Sequence, residues 1–142
     1  MTRRFALSLL ASAALARADA AAEVREVFAS LAAALTERDA PGFFAQFDED
    51  FAGLDALRTN VEAMMDQAEV ASSITFPEEP AEAAGRVTSL ADWAMNLRSR
   101  AAIQRLERRR ALVTATFRTA GKRLKIAQLA PLTLFAPPRF TE

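Results

Sequence analysis

The sequence predicts an α+β domain in which three N-terminal helices pack on a curved antiparallel sheet of about four long strands. Three observations carry this. Apolar residues recur at helical spacing up to about residue 67. From Val70 the period drops to two, the signature of half-buried strands. Turn signals separate the strand-like runs, above all Pro77-Glu78-Glu79-Pro80 and Ala120-Gly121-Lys122.

The first helix is expected over about Ala21 to Arg38. Val24, Val27, Phe28, Leu31 and Leu35 form one continuous stripe. Glu23 and Glu26 sit in its first turns and Arg38 in its last, as the helix dipole prefers. Asp39 can cap the next helix, and Pro41 suits a first helical turn. That short second helix carries Phe43, Phe44 and Phe47, and Asp48-Glu49-Asp50 interrupts it. The third helix is expected over about Leu54 to Gln67, with Leu54, Leu57, Val61, Met64 and Met65 inward.

In the sheet half, Val70, Ser72, Ile74 and Phe76 alternate with Ala71, Ser73 and Thr75. The next strand spans about Val87 to Arg98, with Val87, Ser89, Ala91, Trp93, Met95 and Leu97 on one face and Thr88, Asp92, Asn96 and Arg98 on the other. A third runs from about Gln104 to Thr119. The last runs from about Arg123 to Phe135, with Pro131 marking a bulge or an edge, and Pro137-Pro138 ends the domain. Residues 94–112 are rich in Ala, Leu and Arg and could instead propagate a helix. The strand reading is preferred because Val113 to Phe117 and the Gly121 turn continue the segment as a hairpin.

Ahead of the domain, residues 1–20 have the layout of a secretory signal: Arg3 and Arg4, the apolar run Phe5 to Ala16, then small-x-small sites at Ala16-Arg17-Ala18 and Ala18-Asp19-Ala20. The apolar run is shorter than the ~20 residues that span a bilayer. An Ala-rich first helix of the domain is the alternative reading. Thr2-Arg3-Arg4-Phe5 hints at twin-arginine export, with the Phe one position early. The expectation is an exported protein, periplasmic or secreted, with a signal at 1–20, a domain at 21–138 and a tail at 139–142. Removing residues 1–20 leaves 15 basic and 17 acidic residues, a net charge of −2. So even a balance gives no overall steering toward nucleic acid or anionic lipid, and neither is an expected partner once the signal is gone.

The amphipathic opening helix with Val27, Phe28 and Leu31, the segment Asp39-Ala-Pro-Gly-Phe-Phe, and the entry Asp48-Glu-Asp-Phe-Ala-Gly-Leu to the third helix form one half of a family pattern. The other half is Ala91-Asp-Trp-Ala-Met-Asn-Leu-Arg98, then Glu107-Arg-Arg-Arg, Gly121-Lys-Arg-Leu-Lys-Ile and Leu129-Ala-Pro-Leu. Over residues 21–136 the chain resembles the nuclear-transport-factor-2-like superfamily, the SnoaL-like, cystatin-like cone fold, and most of all its small exported members. The resemblance implies helices covering the concave face of the sheet with room for a pocket between. It implies no single activity, since members include isomerases, dehydratases and polyketide cyclases as well as binding domains and scaffolds.

The inventory of side chains narrows the chemistry. The chain has no Cys, His or Tyr. That excludes disulfides, a thiol nucleophile, an imidazole base, His-containing metal sites and a phenol donor. The Asp48-Glu49-Asp50 run lacks the spacing of a calcium loop, the few glycines form no phosphate loop, and no metal or cofactor is expected. Glu107 and Arg109 share a face with Ala111, Val113, Ala115 and Phe117, so Glu107 is a candidate base and Arg109 a candidate anion holder; a surface ion pair at a strand end is the preferred reading of the two. Trp93 can floor a pocket for an apolar ligand, with Phe47 and Met64 as its walls, or all three can be core. Asp48 is a carboxylate near the pocket mouth or a helix cap. Arg105, Arg108, Arg109 and Arg110 have no interleaved aromatics and alternate faces, which argues against nucleic acid. The expected function is binding of a small apolar ligand or a protein, as a homodimer through the sheet and without catalysis. The alternative is an isomerase- or dehydratase-like enzyme using a carboxylate base.

Overall fold

A computed structural model describes the backbone of residues 2–140 and the side chains of residues 19–140. Helices α1 (Thr2–Glu37), α2 (Ala40–Phe44) and α3 (Leu54–Gln67) precede strands β1 (Ala68–Thr75), β2 (Ala81–Ala83), β3 (Arg86–Ser99), β4 (Leu106–Ala120) and β5 (Arg123–Ala130). The expected signal falls almost wholly outside the described side chains. Helix α1 is one backbone helix through residues 2–37.

From Ala21 onward α1 behaves as its stripe predicts. Val24, Phe28, Leu31 and Leu35 are wholly buried. The helix stops because Arg38 turns left-handed, at φ 60°, and the Asp39 N–H reaches back to the Ala34 carbonyl at 2.8 Å. Asp39 then caps α2, its Oδ1 accepting from the Gly42 N–H at 3.0 Å, with Pro41 in the first turn. A Cβ at position 42 would lie 2.2 Å from an Asp39 carboxylate oxygen, so a larger residue there would push the Asp39 side chain out of its capping position.

The sheet is antiparallel in the order β1-β3-β4-β5, with β2 pairing the start of β3 beside β1. Its inner face carries Val70, Ala91, Trp93, Met95, Leu97, Val113, Ala115 and Phe117, all buried under the helices. The hairpin β4–β5 turns at Gly121 with φ 65°, as expected of that sequence. Residues 94–112 are strand, not helix.

Several boundaries differ from expectation. Helix α2 ends at Phe44, so Phe47 lies beyond it, where it forms a bridge with Ile126. The short β2 was hidden, since three exposed residues, Ala81 to Ala83, carry no alternation. β4 begins at Leu106, two residues later than the pattern suggests. The last strand ends at Ala130, not Phe135. A cis bond joins Ala130 to Pro131, and Leu132–Phe135 forms a 3-10 turn. A strand would send the neighbours Leu134 and Phe135 to opposite faces, and the tighter turn buries both. The register shift in this hairpin lies between Thr116 and Phe117, rather than at Pro131. Residues 139 and 140, expected as a tail, still touch the domain: Phe140 packs on the core and the Arg139 N–H donates to Glu107.

Candidate functional site

Glu107 and Arg109 lie toward the end of the sheet where β3 runs into β4. Cross-strand pairing sets Glu107 beside Leu97 and Arg109 beside Met95, both on the inner face. Arg109 is almost enclosed, its side chain 10% exposed against 19% for Glu107. It grips Glu107 with two prongs, Nε to Oε2 at 2.6 Å and Nη2 to Oε1 at 3.2 Å. Its other N–H groups donate to the C-terminal segment: Nη1 to the carbonyls of Leu134 at 2.9 Å and Ala136 at 2.6 Å, and Nη2 to that of Pro137 at 2.9 Å. A guanidinium has five N–H donors, and here all five are engaged. Glu107 also accepts from the Arg139 N–H at 2.6 Å.

The electrostatics follow from this knot. Burial pushes the Glu107 carboxyl up. The hydrogen bond from Arg109, the Arg139 N–H and the two guanidinium charges outweigh it and hold the carboxyl below its ordinary value. A general base near neutral pH needs the opposite shift. Arg109, with every donor spent inside the protein, has none to offer an anion. The pair is neither the exposed strand-end bridge nor an open acid–base site; it is a clamp on residues 134–139.

The clamped segment plugs the cone. Phe135 is wholly buried, its ring 5.3 Å from Trp93 and 5.6 Å from Phe43 in edge contacts. Phe28 meets Trp93 from the helical side at 6.0 Å. Met64 brings its sulfur to 4.0 Å from Arg109 Nη1. Trp93, Phe28, Phe43, Phe117, Met64 and Met95 each expose under 2% of their surface, so no water-sized space adjoins them. Phe47 reaches this group only through Phe43, at 5.4 Å between rings. It bridges Ile126 of β5 and stacks among Phe43, Phe44 and Phe51. The structure therefore joins Glu107, Arg109, Met64 and Trp93 around the plug, and puts Phe47 on the far flank.

Asp48 is not a helix cap, since Gly53 holds that position for α3. It is buried beside β5, accepting from the Asp50 N–H at 3.2 Å and from Arg118 at 2.6 Å. The Asp50 N–H and Arg118 together outweigh burial and lower its carboxyl below the usual range. The sequence reading missed three polar atoms in or near the cone: Trp93 Nε1, Ser72 Oγ and Ser89 Oγ are buried without a hydrogen-bond partner among the described residues. Ser72 and Ser89 were legible as inward positions of alternating strands. Their lack of partners was not.

The outer face is chemically different. Pairing aligns Glu69, Arg98 and Leu106 in one row, then Ala71, Asn96 and Arg108, then Ser73, Ala94 and Arg110, then Thr75, Asp92 and Leu112. Asp92 accepts from Arg110 Nε at 2.9 Å, and that hydrogen bond lowers its carboxyl. Leu112 is 60% exposed in mid-strand. Among the described residues no group of three metal-ligating side chains converges, and no helix is long and apolar enough to cross a membrane.

No protein-family model matches the chain, and no curated protein matches it in sequence. Solved structures are similar to it. A conserved protein from Planctomyces limnophilus superposes with a TM-score of 0.65 at 14% identity, over 75% of this chain and 90% of its own. A type 2 hexachlorocyclohexane dehydrochlorinase does so with a TM-score of 0.65 at 14% identity, over 81% and 85%. A protein of unknown function from Nostoc punctiforme, described as having a cystatin-like fold, gives 0.53 at 19% identity, over 75% and 85%. Identities this low speak to fold and not to activity.

Proposed function

From a cystatin-like cone fold whose interior is filled by its own side chains, we propose that this protein is an exported binding domain without catalysis, working through its outer surface as a homodimer paired across the sheet. The observation that carries this reading is the Arg109 clamp: all five of its donors and the Glu107 carboxylate are used to hold the C-terminal segment over the cone. A site that must admit a ligand has no use for such a seal. Export rests on the layout of residues 1–20. Pairing across the sheet is supported by Leu112, which lies exposed on the outer face, directly across from Asp92 and between Arg110 and Thr114 along β4, on a face that can meet its own copy.

The second reading is an isomerase- or dehydratase-like enzyme. The fold shared with a dehydrochlorinase favours it, and so do the unpaired Trp93 Nε1 and Ser72 Oγ inside the cone. It requires the plug to leave and the Glu107 carboxylate to be released from Arg109, which would make it a stronger base.

Sedimentation of the protein as cells process it tests the first reading. A dimer is expected, converted to a monomer of unchanged circular dichroism by Leu112→Arg. The same sample is titrated with apolar carbonyl compounds while Trp93 emission is followed. Saturable quenching that Glu107→Gln abolishes would establish the second reading in place of the first.

A further inference from the structure

Electrostatic balance over the whole chain conceals a local imbalance. Residues 98–110, the end of β3, the loop and the start of β4, carry six arginines against one carboxylate, Glu107. That carboxylate is turned inward and spent on Arg109. Arg98 and Arg108 project from the outer face, where the row pairing makes them diagonal neighbours. Both are exposed, and neither is in an ion pair with any described carboxylate. Arg100 is held across the end of α3, its Nε donating to the Met65 carbonyl at 3.1 Å, and it too has no carboxylate partner among the described residues. These three guanidinium groups rim an open groove of about 650 Å³ in which Glu69 is the acidic residue.

The same end holds two of the most exposed large apolar side chains. Ile103, at the loop tip, is 70% exposed, and Leu106, directly across from Arg98, is 53% exposed. Neither packs on the core. Aliphatic side chains bared to water at one end of the sheet, with the guanidinium groups of Arg98, Arg100 and Arg108 at the same end, match the two-part chemistry of an anionic bilayer: charge for the headgroups and apolar surface for the acyl boundary. An acidic protein would account for the arginines and leave the isolated Ile103 unexplained. Nucleic acid would call for stacking rings, and the exposed large apolar residues of this face are aliphatic.

We propose that the β3–β4 loop docks the protein on an anionic phospholipid surface, with Ile103 and Leu106 entering the headgroup boundary and Arg98, Arg100 and Arg108 pairing with lipid phosphates. The inference rests on the binding-domain reading and names its partner. It departs from the expectation of no membrane contact, which followed from the net charge of the whole chain. The acids that cancel these arginines in the sum lie elsewhere, for instance Glu23, Glu26, Asp55, Glu62 and Asp66 on the helices.

The test is co-sedimentation of the processed protein with lipid vesicles, either phosphatidylcholine alone or with about one-third phosphatidylglycerol. Binding to the anionic vesicles and not to the neutral ones is expected, weakened by salt. Arg98→Glu with Arg108→Glu should lower the affinity about tenfold or more, since each basic side chain near such a surface contributes on the order of 1 kcal/mol. Ile103→Ser with Leu106→Ser should lower it several-fold at equal charge. Circular dichroism and Trp93 emission of each variant report that the fold is intact. Equal binding to both vesicle types, or variants that bind as the parent does, would overturn the proposal, because the binding would then not depend on these arginines and apolar side chains. Binding of a DNA duplex or poly-glutamate, with no vesicle binding, would overturn it in favour of those partners. Failure here with the dimer and the closed cone intact removes the lipid inference alone; ligand quenching of Trp93 removes the reading beneath it.

Discussion

Arg109 shows how one residue can decide whether a fold has a pocket. Its position on the inner face follows from strand alternation, and so does its neighbour Glu107. What it does there depends on geometry that only a guanidinium supplies: a flat fork that takes a carboxylate on one side and three carbonyls on the other. Lysine carries the charge without the fork. Arg109→Lys should therefore leave about two of the carbonyls unpaired and destabilise the domain by about 2–4 kcal/mol in urea unfolding. A change of under about 0.5 kcal/mol would mean the clamp bears no weight.

At the scale of elements, the C-terminal 3-10 turn does what a further helix or ligand could have done. It fills the space between sheet and helices. Phe135 is its wedge, lying between Trp93 and Phe43. Phe135→Ala should cost about 3–5 kcal/mol, the range for emptying a buried aromatic site. The chain's single Trp reports the same event. Emission from wholly buried Trp93 should be blue-shifted and resist acrylamide in the parent, then shift red and quench in Phe135→Ala. An unchanged spectrum would show that other core groups close over the gap. The element boundaries that the sequence pattern missed belong to the same physics. Three-residue β2 is too short to show a period, and Pro131 converts the expected strand end into a turn whose two adjacent apolar residues both face inward.

Over the whole molecule, charge is sorted rather than absent. Arginines gather at the β3–β4 end while the carboxylates that balance them are spread over the rest of the chain, and a net charge near zero hides this. The response to pH follows from which groups are tied down. Asp48, Asp92 and Glu107 are all held below their ordinary values in the folded protein. A carboxyl lowered by folding stabilises the fold fully above its unfolded value, 3.8 for aspartate and 4.5 for glutamate here, and loses that contribution as pH falls through the folded value. With no histidine in the chain, no side chain has an ordinary transition near neutrality. The melting temperature should be flat from about pH 6 to 8 and fall below about pH 4.5. A step between pH 6 and 8 would contradict this account.

The sequence by itself determined the helices, the long strands and the faces they bury. These follow from local periodicity, and Val24 to Leu35, Leu57 to Met65 and the alternation of Val87 to Leu97 keep it without interruption. It also determined that Glu107 and Arg109 share the inner face. Only the tertiary structure decided that the cone is closed. That outcome depends on residues 25 to 28 positions downstream of Arg109 in the chain folding back so that their carbonyls meet its donors. Periodicity records which way a side chain points. It does not record which distant segment arrives to meet it. The basic end was unreadable for the same reason: Arg98 and Arg108 become neighbours through cross-strand register, and a sum of charges along the chain contains no register.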